Sequence, residues 1–211
     1  DSAKIEENFN FKDPSSHIPK LMEAYQLLQN LPEGHWRNIK LEALKQLIAD
    51  CAGLFLEAVS DQQTVAPKGN ITVTVEAINR SGVNMKLNSV TSSIISFPTT
   101  LVATPLENNE PYSIKSVENT FQATTYSAPY WLNEKGTLGM YKVNDESLIG
   151  LPERKNPFPV TFNMTIAGKQ IAFERNITYK YNDPVKGEVY QPFEVLPVVT
   201  TSIAEKVVIF S

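Results

Sequence analysis

Two carboxylates, Asp183 and Glu188, stand close together in Asp183-Pro-Val-Lys-Gly-Glu188. A carboxylate pair facing one cleft, with the pKa of one member raised, can do general acid and base work, as on a glycosidic bond. The same two residues also fit a charged turn between two strands, with Pro184 and Gly187 supplying the turn. The dipeptide Tyr130-Trp131 offers a different chemistry. Exposed aromatic faces stack on the apolar C–H faces of sugar rings, whereas buried ones plug a core. These four residues are the candidate binding positions, and none is assigned a catalytic role.

Other reactive residue types are sparse. Cys51 is the single cysteine, so no intrachain disulfide forms. It sits in Ala49-Asp-Cys-Ala-Gly-Leu-Phe-Leu56 and reads as a small buried hydrophobe; a catalytic thiolate would need a basic partner. Only His17 and His35 could serve, and both fall at expected helix ends. Two such histidines do not make a metal centre, so no metal site and no cofactor is expected. Gly-x-Ser-x-Gly, Walker and Gly-x-Gly-x-x-Gly patterns do not occur in the sequence. The net charge is -4 without a basic stripe, which argues against nucleic acid as a partner. No run of about 18 apolar residues provides a membrane span. Asn-x-Ser/Thr sequons begin at Asn70, Asn79, Asn163 and Asn176. Asp1 opens the sequence without a signal-peptide pattern, and the chain is read as a mature chain or an excised fragment.

The elements that hold these residues follow from periodicity. The 42% hydrophobic content is enough for a sizeable core. In the polar opening stretch, Phe9 and Phe11 alternate and could pin an extended arm. Asp13-Pro-Ser-Ser16 reads as a turn feeding a helix. Ile18, Leu21, Met22, Tyr25 and Leu28 then mark one helical face, ended by Leu31-Pro-Glu-Gly34. A second helix is predicted over 35–60, about 37 Å long, with a broad apolar face that includes Trp36, Ile39, Leu47, Ile48 and Phe55. The short link makes the two an antiparallel hairpin. They cannot bury that face against each other alone, so the hairpin is expected to dock on something else.

Past a linker at 61–68, Ile71, Val73, Val75 and Ala77 alternate with Thr72, Thr74, Glu76 and Ile78, the period of a half-buried strand. Further strands are predicted at 85–92, 101–104, 112–117, 120–125, 159–166, 169–179 and 189–195. The spacing of strands and turn signals suggests a sandwich. Most of the 14 prolines fall outside these strands, with Pro159 opening one and Pro192 inside another. Residues 126–156 are less regular and are expected to fold over one end.

Five stretches together resemble one family: Gly53-Leu-Phe-Leu-Glu-Ala58, Asn79-Arg-Ser81, Ala128-Pro-Tyr-Trp-Leu132, Gly136-Thr-Leu-Gly-Met-Tyr141 and Asp183-Pro-Val-Lys-Gly-Glu-Val-Tyr190. They look like the middle region of large bacterial PIG-L/LmbE-type proteins, related to N-acetylglucosaminyl-phosphatidylinositol de-N-acetylases. The resemblance covers nearly everything beyond residue 35. It implies an upstream zinc deacetylase-like domain, a helical segment, and Ig-like domains similar to the module beside α-galactosidase catalytic domains. The family binds zinc through His-Pro-Asp-Asp and a later His, and zinc there would activate water. This sequence contains no His-Pro-Asp-Asp, so no zinc ligand carries over.

The expected fold is α+β and mainly β: a polar arm and helical hairpin over 1–62, an Ig-like antiparallel β-sandwich over 63–195, and a following segment or terminal strand over 196–211. The expected role is a non-catalytic accessory module of a larger PIG-L-like carbohydrate deacetylase, partnered by the upstream catalytic domain of the same polypeptide and engaging carbohydrate. The alternatives are a free-standing carbohydrate-binding or adhesion protein and, third, an enzyme using Asp183 and Glu188. The resemblance implies a secreted or periplasmic location.

Overall fold

A computed structural model describes residues 7–98, 103–117, 120–123, 125–152, 157–199 and 201. A 3-10 turn at Pro14–His17 leads into helix α1, Ile18–Gln29. Pro19 sits in the first turn of α1, where a missing N–H costs nothing. Arg37 donates from Nη2 to the Gln29 carbonyl at 2.8 Å and from Nε to the Leu28 carbonyl at 3.2 Å. It thereby satisfies carbonyls that the end of α1 leaves open. Helix α2, His35–Cys51, completes the hairpin. Phe9 stacks on His17 with ring centroids 5.0 Å apart, and the His17 Nε2 accepts the Asn10 N–H at 2.8 Å. The arm is therefore pinned through Phe9, while Phe11 projects into solvent.

The second helix is shorter than its sequence pattern predicts. It stops at Cys51, and Leu54–Ser60 forms strand β1. Gly53 makes the break: its φ is +59°, the left-handed conformation that closes helices, and its N–H bonds the Asp50 carbonyl at 3.1 Å. A Cβ at Gly53 would lie a tight 3.1 Å from Arg80 Cβ, which adds to the preference for glycine set by its φ. Leu54, Leu56, Ala58 and Ser60 are buried in strict alternation. The run satisfied both a helical and a strand period, and strand pairing decided between them.

The remaining strands are β2 (Thr64–Val65), β3 (Val73–Asn79), β4 (Met85–Thr91), β5 (Thr104–Pro105), β6 (Pro111–Lys115), β7 (Pro159–Ile166), β8 (Lys169–Asp183), β9 (Gly187–Pro192) and β10 (Glu194–Val195). The main sheet runs β5-β4-β7-β8-β1-β3-β6, with β9 also on β8. The 15-residue β8 joins its two halves. Residues 169–176 pair antiparallel with β7, and residues 178–183 pair antiparallel with β9. The sheet curls, and the buried faces of both halves contribute to one apolar core. Two pairings are parallel rather than antiparallel: β1 with β8 over Ala58–Ser60, and β10 with β2. Phe121, Phe158 and Phe193 meet edge to face, with centroids 5.5, 5.3 and 5.4 Å apart. Such a cluster fills volume that aliphatic side chains would leave open.

The architecture is thus a helical hairpin followed by a mainly β, sandwich-like curled sheet. The strand pattern at 159–166 matches β7 in full. The first alternating stretch is shifted by two residues and is preceded by β1 and β2. Residues 120–123 form one isolated bridge, Asn70 to Thr120, in place of a strand. The expected strand at 101–104 falls partly, and the following segment expected over 196–211 mostly, outside the described residues.

Candidate functional site

Tyr130 and Trp131 lie in a 3-10 turn, Tyr130–Leu132, entered through Pro129. The structure divides the pair. Tyr130 is buried and its hydroxyl donates to the Leu151 carbonyl at 3.1 Å, tying the start of the irregular segment to its end. Trp131 is half-buried and meets Tyr130 edge to face, with centroids 4.9 Å apart and planes at 86°. Tyr130, Trp131, Tyr141, Val143 and Ile149 line an open hollow of about 290 Å³. Next to the lining residue Val143 in sequence, the exposed Asn144 donates from Nδ2 to Glu134 Oε1 at 3.1 Å. Tyr141, Val143 and Ile149 were not legible as site residues, because an irregular segment brings them beside Trp131 and no period announces it.

Asp183 and Glu188 lie at the β8–β9 hairpin. Asn182 pairs with Glu188, and Asp183 pairs with Gly187. Cross-strand partners share a face and neighbours along a strand alternate, so Asp183 and Glu188 point to opposite faces of the ribbon. Asp183 Oδ1 accepts the Lys186 N–H at 2.8 Å and the Val185 N–H at 2.9 Å. These bonds to the charged form hold its carboxyl below the usual carboxylate range, the Lys186 bond contributing most. A general acid needs the opposite shift. The geometry gives Asp183 a turn-forming role.

Glu188 instead belongs to a polar cluster on the outer face of the sheet. Lys180 Nζ lies 2.8 Å from Glu57 Oε1 and 3.8 Å from Glu188 Oε1. The Tyr190 hydroxyl donates to Glu57 Oε2 at 2.8 Å. The Glu57 hydrogen bond raises the Lys180 pKa, and partial desolvation opposes it. Glu57 thus bridges Lys180 and Tyr190, which suits a clamp between β1, β8 and β9.

Cys51 is buried, and burial pushes its thiol pKa up, with Asp50 adding to the shift. It is an inert core residue. His17 is held by Asn10 and Phe9, and His35 lies edge-on to Trp36. Among the described residues no group of three His, Cys, Asp or Glu could hold a metal ion. No described helix is long and apolar enough to cross a membrane. Of the sequons, Asn79 is buried and its side chain is fully engaged. Nδ2 donates to the Val83 and Leu106 carbonyls at 2.9 and 3.1 Å, and Oδ1 accepts from the Ser81 N–H and hydroxyl.

The hairpin carries a second apolar surface. Leu41, Ile48 and Ala49 of α2 join the core together with Ile18, Leu21, Met22 and Tyr25. Trp36, Ile39, Ala43 and Leu47 recur at helical spacing on the other side of α2. Trp36 is 72% exposed, and Ile39, Ala43 and Leu47 are also exposed. Leu27 and Leu31 are exposed near the tip of the same hairpin. The broad face read from the sequence is therefore split, one half docked and one half open.

A scan against known protein families finds no family model that matches the chain, and neither curated proteins nor solved structures yield a match.

Proposed function

We propose that this chain is a non-catalytic accessory module of a larger, exported PIG-L-like carbohydrate deacetylase. In this reading its helical hairpin seats the upstream catalytic domain of the same polypeptide. The observation that carries the proposal is the open stripe Trp36, Ile39, Ala43 and Leu47. Contiguous exposed apolar surface rimmed by polar residues is a mark of interaction sites, and this reading takes the stripe as one. The resemblance suggests the partner, and because the sequence contains no His-Pro-Asp-Asp this reading assigns the zinc chemistry to the upstream domain.

The alternative is a free-standing carbohydrate-binding or adhesion protein, which draws on the half-buried Trp131. Immunoblotting of source cells with an antibody to this chain separates the two. The accessory reading expects a species far above 23.6 kDa. A native species near that mass overturns it and favours the alternative.

A further inference from the structure

We propose that the hollow lined by Tyr130, Trp131, Tyr141, Val143 and Ile149 is a subsite that stacks one hexopyranose ring. This deepens the carbohydrate arm of the preceding reading, yet it uses a surface separate from the hairpin stripe. Failure of sugar binding would leave the docking reading standing, and failure of docking would leave the subsite standing.

The argument rests on the platform and its rim. Trp131 is not a loose surface aromatic. Tyr130 meets it edge to face, and Tyr130 is itself anchored by its hydroxyl to the Leu151 carbonyl. The stacking surface is therefore formed before any ligand arrives, which lowers the entropy cost of binding. Tyr141, largely exposed, supplies a second aromatic wall. The hollow's volume of about 290 Å³ lies at the small end of ligand sites, the scale of one ring rather than a peptide segment.

The wall chemistry is apolar, and the flanking chemistry is polar. Asn144, which follows the lining residue Val143 in sequence, hydrogen-bonds the exposed Glu134, and Lys142 is exposed between the lining residues Tyr141 and Val143. A pyranose has the matching division: axial C–H groups on its faces and hydroxyls around its edge. A purely apolar ligand would leave that polar flank unused. A charged one would find few charge partners in the lining.

The test is saturation-transfer NMR on the intact chain, with methyl β-D-glucopyranoside and methyl β-D-galactopyranoside as probes. The first presents axial C–H groups on both faces; the second has one continuous apolar face. The expected result is transfer to the axial ring protons of at least one probe at millimolar concentration. Affinity should fall about tenfold in Trp131→Ala, the scale of one lost stacking contact. Tyr141→Ala, at a largely exposed position, should weaken binding several-fold and guards against misfolding of the first variant. Absence of transfer from both sugars overturns the proposal. So does transfer that persists unchanged in both variants, since the sugar would then bind elsewhere.

Discussion

Ile48 and Leu47 are neighbours on α2 and should respond very differently to truncation. Ile48 is 0% exposed and lies in the continuous core. Ile48→Ala removes buried methyl groups and leaves a cavity, which costs about 2–5 kcal/mol; full burial places this site near 3–4. Leu47 is 45% exposed on the open stripe. Complete burial of a leucine contributes about 1.5–3 kcal/mol, so a side chain half in water has roughly half of that to lose. No enclosed cavity forms, and alanine is the slightly better helix former. Leu47→Ala should therefore cost about 0.5–1.3 kcal/mol. The assay is urea unfolding followed by far-ultraviolet circular dichroism, with an unchanged m-value as the condition for comparing midpoints. Equal losses at the two positions would refute the reasoning. They would mean that the stripe is already covered in the isolated chain and has nothing left to offer a partner.

Other perturbations follow from the same geometry. Asn79→Ala strands the Val83 and Leu106 carbonyls and the Ser81 N–H and should cost about 2–4 kcal/mol in urea unfolding. Asn79→Asp should be worse at pH 7, because a carboxylate oxygen then faces two carbonyls, and the gap should narrow toward pH 4. Lys180 has a raised pKa in the folded state, chiefly through Glu57. Its contribution to stability is full below the unfolded value of about 10.4 and is lost as pH rises through the higher folded value. Alkaline unfolding titrations should show a smaller loss over that window in Lys180→Met than in the parent. Asp183→Asn keeps the oxygen that accepts the Lys186 and Val185 N–H groups, so the β8–β9 hairpin should survive. The parent should lose stability below about pH 4 as Asp183 protonates through its depressed folded pKa, and the variant should lack that component.

Much of the architecture was legible in the sequence. The apolar period from Ile18 to Leu28 and the breaker at Pro32–Gly34 marked the first helix and the turn, and the alternation from Pro159 to Ile166 marked β7. Strand β1 was not legible, because Leu54, Phe55 and Ala58 continue a helical stripe while Leu54, Leu56 and Ala58 also alternate. Gly53 was the local signal, but its left-handed backbone and its fit against Arg80 depend on the tertiary fold. The partners that settle the matter, β3 and β8, lie far along the chain. The candidate site divides in the same way. The aromatic pair at 130–131 announced itself, whereas Tyr141 and Ile149 reach it through a segment without periodicity. The clamp of Glu57 with Lys180 and Tyr190 joins residues 123 and 133 positions apart, a distance at which a single sequence carries no signal.

The most direct test of the accessory-module account is hydroxyl-radical footprinting of Trp36 and Leu47, in the isolated chain and in the native polypeptide from source cells. The account expects both side chains to label readily in the isolated chain and several-fold more slowly in the native polypeptide, with Trp131 serving as the internal reference. Equal labelling of Trp36 and Leu47 in the two preparations would contradict it.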